Sequence, residues 1–152
     1  MVARGGVGYD DDASTIGPFF PIQISTPVFN PANSTTYYFG TANVAPGVVA
    51  TGRMSIFPWN GRVVGVLLHV SIAVPGTGEL FTAYLRVNNT TDYLINTFPS
   101  NASALLYSQV IMDTPVPITD ADYFEMKLVT PTTGTPATSV FLWGQLKMGP
   151  PL

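Results

Sequence analysis

The stretch Arg62-Val63-Val64-Gly65-Val66-Leu67-Leu68-His69-Val70-Ser71-Ile72-Ala73-Val74 decides the fold. Its even positions, Val64, Val66, Leu68, Val70, Ile72 and Val74, are all aliphatic. Its odd positions mix Val63 and Leu67 with Gly65, His69, Ser71 and Ala73. A helix returns side chains to one face every three or four residues, whereas an extended chain does so every second residue. The stretch therefore predicts one long strand with one fully buried face and one mixed face.

The same period recurs outward from it. Phe81, Ala83, Leu85 and Val87 share one face, while Thr82, Tyr84, Arg86 and Asn88 share the other. Asn88-Asn89-Thr90-Thr91 reads as a turn because asparagine tolerates positive φ, and residues 92–95 lead back. Further strands are expected at 36–39, 53–57, 104–112, 123–128 and 140–148. In the last of these Val140, Leu142, Leu146 and Met148 point inward, and Phe141, Trp143, Gln145 and Lys147 outward. Proline and glycine clusters at 75–78, 115–117 and 131–136 mark turns. With about eight strands and no helical period, the chain reads as all-β, an antiparallel β-sandwich of jelly-roll type.

Residues 1–34 differ from the sandwich expected over 35–152. Pro18, Pro21, Pro27 and Pro31 punctuate Phe19, Phe20, Ile22, Ile24, Val28 and Phe29. Proline at that density opposes a helix or a long central strand, yet the segment is too apolar for a solvated linker. It is expected to be an extended arm, lying along its own domain or reaching over a neighbouring subunit.

Of the 152 residues 46% are hydrophobic, but only 10% are Asp, Glu, Lys or Arg. Globular proteins average about 25% charged residues, and charge keeps a free monomer unassociated. The deficit points to a surface covered by neighbours in an assembly. A mean hydropathy of +0.29 and 12% aromatics argue against disorder. Six basic residues and a net charge of -3 give no electrostatic case for nucleic acid. The absence of cysteine removes disulfides, thiolate metal sites and thiol nucleophiles. The apolar stretch 63–74 is too short and too interrupted to span a bilayer.

Catalytic chemistry finds little to work with. His69 is the single histidine and sits mid-strand, where a packed or interface histidine is expected. No Gly-x-Ser-x-Gly elbow is present. Glu79 and Glu125 are the two glutamates, and nothing in their spacing pairs them for glycoside hydrolysis. Asp10-Asp11-Asp12 lacks the spacing of a calcium loop. The expectation is a non-enzyme with no cofactor or metal. Outward aromatics carry more information, because rings on the second face of a sheet imply a cover. Phe19, Phe20, Phe29, Trp59, Phe141 and Trp143 are the candidate residues of a subunit or partner interface.

Three blocks add a resemblance. They are Thr35-Thr-Tyr-Tyr-Phe-Gly-Thr41, Tyr84-Leu-Arg-Val-Asn-Asn-Thr-Thr-Asp-Tyr-Leu-Ile95, and Asp122-Tyr-Phe-Glu-Met-Lys-Leu-Val-Thr-Pro131 with its Phe-Leu-Trp-Gly sequel. Over residues 35–148 the chain resembles small virion proteins of tailed bacteriophages, the head decoration proteins and the end domains of fibres or spikes. That resemblance implies a jelly-roll-like domain, usually trimeric, without cofactor or catalytic residues. The expected function is a decoration or cement protein on the capsid exterior, partnered by the major capsid protein or other virion proteins. The alternative is a receptor-binding tip domain of a fibre or spike, whose partner would be a host glycan. The chain departs from a fibre in lacking a shaft and in carrying the apolar arm.

Overall fold

The computed structural model of the chain describes residues 21–50, 53–57, 60–101 and 105–150. These form nine strands: β1 Ile22–Ser25, β2 Thr36–Phe39, β3 Ser55–Ile56, β4 Gly61–Val74, β5 Leu80–Val87, β6 Thr91–Pro99, β7 Leu105–Ile118, β8 Tyr123–Val129 and β9 Thr138–Gly149. No helix occurs among the described residues, so none there is long and apolar enough to cross a membrane.

One sheet has the order β1-β9-β4-β7 and the other β2-β8-β5-β6, with β3 also pairing β8. All pairings are antiparallel. Val66, Leu68, Leu142 and Leu146 of the first sheet join Phe39, Leu85, Met126 and Leu128 of the second in one core. The two sheets thus form a β-sandwich. Full burial of such a side chain is worth about 1.5–3 kcal/mol, which is why the period-two pattern dictates the architecture.

β4 follows its pattern over Val66, Leu68, Val70 and Ile72, all buried. A register shift between Val63 and Gly65 then turns Val63 into the core as well. Val74 departs from expectation and is exposed, because the strand has there run past the core into the 75–79 loop. The turn expected at Pro115–Pro117 lies inside β7 instead. β7 is an edge strand paired to β4 alone, where a missing backbone donor breaks no second ladder.

Part of the stretch read as an arm is a strand. The four residues of β1, between Pro21 and Pro27, pair with β9 from Ile22↔Leu146 to Ser25↔Trp143. The contact continues as Thr26 N donates to Leu142 O at 2.9 Å and Phe29 bridges Val140. Residues 21–29 therefore run along their own chain.

The β5–β6 turn forms as expected. Asn88 and Asn89 have φ of 52° and 55°, and Thr90 N donates to Val87 O at 3.1 Å. At the opposite end of the sandwich the loops are laced together. Asn33 Nδ2 donates to Thr133 O at 2.8 Å and Gly76 N to Ser100 O at 2.8 Å.

Candidate interaction surface

The two outer faces of the sandwich differ in chemistry. On the first sheet, β-pairing sets Ser25 beside Trp143 and Trp143 beside His69. The adjacent row is Gln23, Gln145 and Leu67, and Phe141 lies opposite Ser71. The indole of Trp143 and the imidazole of His69 have centroids 4.8 Å apart at 53°. Phe141, Trp143, Leu67 and His69 are all half-buried. Charge enters among the described side chains of β1, β4 and β9 only at one end, with Arg62 and Lys147. The buried Nε of Arg62 has no hydrogen-bond acceptor among the described residues. Gly144 lets β4 and β9 approach closely here, since a Cβ would collide with the carbonyl oxygen of Leu67.

The outer face of the second sheet is polar and internally paired. Asp92 accepts from Arg86 Nη1 at 2.7 Å and from Lys127 Nζ at 2.6 Å. Arg86 Nε stands 3.8 Å from the buried carboxylate of Glu125. Lys127 lies over the Tyr84 ring at 5.2 Å and Arg86 over the Tyr38 ring at 6.0 Å. Burial opposes ionisation of Asp92, but hydrogen bonds from Lys127 and Arg86, with their charges, hold its carboxyl below the usual range. Four charges of a charge-poor chain meet here and satisfy one another.

Phe141 and Trp143 are thus brought together on one face, with His69 and Leu67 as companions. Phe29 is elsewhere: its ring packs edge-on against Tyr37, centroids 5.3 Å apart, at the margin of the core. Phe19, Phe20 and Trp59 lie outside the described residues, as does Asp10-Asp11-Asp12. Glu79 precedes β5, whereas Glu125 pairs with Arg86 near its other end. Seven residues at strand rise separate them by roughly 20 Å, too far for the paired carboxylates of a glycosidase. Glu79 accepts from Thr77 Oγ1 at 2.5 Å, and that bond holds its carboxyl below the usual range. Among the described residues no group of three or more His, Asp or Glu is arranged to hold a metal ion.

Sequence reasoning missed an apolar stretch between Val44 and Ile56. Val48 and Val49 are more than half exposed, as is Ile56. The signal was present as two adjacent valines between Gly47 and Ala50 with no strand pattern to absorb them.

No protein-family model matches this sequence, and no curated protein matches it either.

Proposed function

We propose that this protein is a virion structural protein, a capsid decoration or cement protein that trimerises on the particle surface and stabilises the shell. The observation that carries the reading is the contrast between the two outer faces. Apolar rings and neutral amides line the outer face of the first sheet, where they stay part-exposed, while the charges of the second sheet are paired among themselves. Apolar surface of this kind contributes about 25 cal/mol per Å² when a partner buries it. A subunit laid against it could also supply an acceptor to Arg62 Nε.

The strand order supports a jelly-roll form of the sandwich. Most successive strands alternate between the sheets, and the first and last lie side by side, as interleaved Greek keys require. The likeness of the 35–41, 84–95 and 122–131 blocks to tailed-phage virion proteins supplies the assembly.

The test combines light scattering with capsid binding. The wild-type protein is expected to elute as a trimer and to bind emptied tailed-phage heads, raising their resistance to heat. Trp143→Glu, with its circular dichroism unchanged, should yield monomers that no longer bind. A wild-type monomer that binds no particle would overturn the reading. Binding to a glycan array instead would favour a fibre or spike tip.

A further inference from the structure

The charged side chains of the described residues sort into two groups. Glu79, Asp92, Asp122 and Glu125 all have polar partners, and Arg86 and Lys127 are held in the Asp92 cluster. Arg53 Nε donates to Ala45 O at 3.1 Å. Three charges are left over. Among the described residues Arg62 and Lys147 enter no ion pair, and Asp120 makes its one hydrogen bond through its backbone nitrogen, not its carboxylate.

The two cations share one spot. Pairing of β4 with β9 sets Arg62 opposite Gly149 and Gly65 opposite Lys147, while Val63 and Met148 between them turn into the core. Arg62 and Lys147 therefore stand together on the outer face of the first sheet, offset by about 7 Å along the strands. A Cβ on Gly149 would lie 3.2 Å from Arg62 Nε, so the Arg62 side chain is laid across the glycine backbone. The row continues along β9 to Gln145 and Trp143, which makes the pair a cationic border of the apolar face. Asp120 is exposed on the turn between β7 and β8, within ion-pair distance of neither cation. That turn is held from three sides. Thr119 N donates to Asp122 Oδ2 at 2.7 Å, Asp122 N to Thr119 O at 3.1 Å, and Asp120 N to Asn60 Oδ1 at 2.9 Å.

We propose that Asp120 of one copy of the chain pairs with Arg62 and Lys147 of a neighbouring copy. The assignment rests on the trimer proposed above and names the polar contact at the border of its apolar face. Charge complementarity carries it, since the unpaired cations and the unpaired carboxylate of the described residues satisfy each other only between copies. A guanidinium offers a carboxylate two parallel donors, which fixes orientation as well as register. A carboxylate on a turn already held in place loses little freedom on pairing. The contact joins two different patches, so it is heterologous and closes into a ring when repeated around an axis, as a trimer requires. Apolar contacts beside it shield the pair from salt, which a lone surface pair does not enjoy.

Charge reversal tests the pairing. Asp120→Arg and Arg62→Asp, each checked for folding by circular dichroism, should raise the trimer dissociation constant about tenfold in sedimentation, because each sets like charges against each other. Combining Asp120→Arg with Arg62→Asp in one chain should recover most of that loss. If Arg62→Asp does not fold, Asp120→Arg with Lys147→Glu supplies the same cycle. A trimer indifferent to the single reversals, or a double variant in which their losses add, would overturn the pairing and leave the apolar-face trimer standing. A wild-type chain that stays monomeric at every concentration removes both.

Discussion

Asn88 holds Asp122: its Nδ2 donates to Asp122 Oδ1 at 2.6 Å across 34 residues of sequence. Its Oδ1 meanwhile accepts from Tyr123 N at 3.1 Å. One side chain in a positive-φ turn thus ties the β5–β6 hairpin to the start of β8. The bond from Asn88, helped by Thr119 N, keeps the Asp122 carboxyl below its usual range. Asn88→Ala removes both bonds and strains the turn, so a loss of about 1–2 kcal/mol is expected in urea unfolding. An NMR titration should show the Asp122 carboxyl returning toward its ordinary value.

The Lys127–Asp92–Arg86 cluster makes stability depend on acid. Its folded-state carboxyl titrates below the unfolded value of about 3.9, so its contribution is complete above that pH. The contribution is lost as pH falls from there through the folded-state value. Asp92→Asn should lower stability by about 1 kcal/mol at neutral pH, the figure for partly exposed pairs under solvent screening. Thermal melts of variant and wild type should converge towards pH 2; a gap that persists there would assign the loss to packing instead.

Gly144 has no room for a methyl group against the Leu67 carbonyl. Gly144→Ala must push β4 and β9 apart in the middle of the first sheet. A cost of about 1–3 kcal/mol or more is expected, read as a lowered urea midpoint. Gly134→Ala, in a loop where the nearest atom to a Cβ is 3.6 Å away, should change stability far less.

Neighbouring residues of β9 should respond in opposite ways. Leu142 is fully buried, so Leu142→Ala should cost about 2–5 kcal/mol with any change in association secondary. Phe141 is half-buried on the outer face, so Phe141→Ser should cost clearly less stability than Leu142→Ala and, on the proposed trimer, weaken self-association in sedimentation. Equal losses of stability for the two would remove Phe141 from the interface.

The long strands were legible because alternation is a local signal. Phe81, Ala83, Leu85 and Val87 are all buried, and so are Val140, Leu142, Leu146 and Met148. β1 was hidden because prolines bracket its four residues, and only pairing with a strand more than a hundred residues away reveals it. Pro115 and Pro117 misled for a related reason: proline breaks a central strand but not an edge, and edge position is a property of the sheet. Around β3 it is Phe57, just past the strand, that fills the core, while Met54 and Ile56 are left outside. The aromatic surface around Trp143 was half legible. Alternation placed Phe141 and Trp143 outward, but His69, Leu67 and Gln23 join them only through the β1-β9-β4 order.

That order also constrains when the molecule can form. β9 is a central strand, seated between the first strand of the described chain and β4, yet it is made after every other strand described. During synthesis β1 and β4 have no intermediary, and the apolar inner faces of both sheets stay open until residue 149 is free of the ribosome. Such non-local pairing makes folding slow and exposes the chain to aggregation. A nascent chain stalled before β9 therefore has no complete sandwich to rest in.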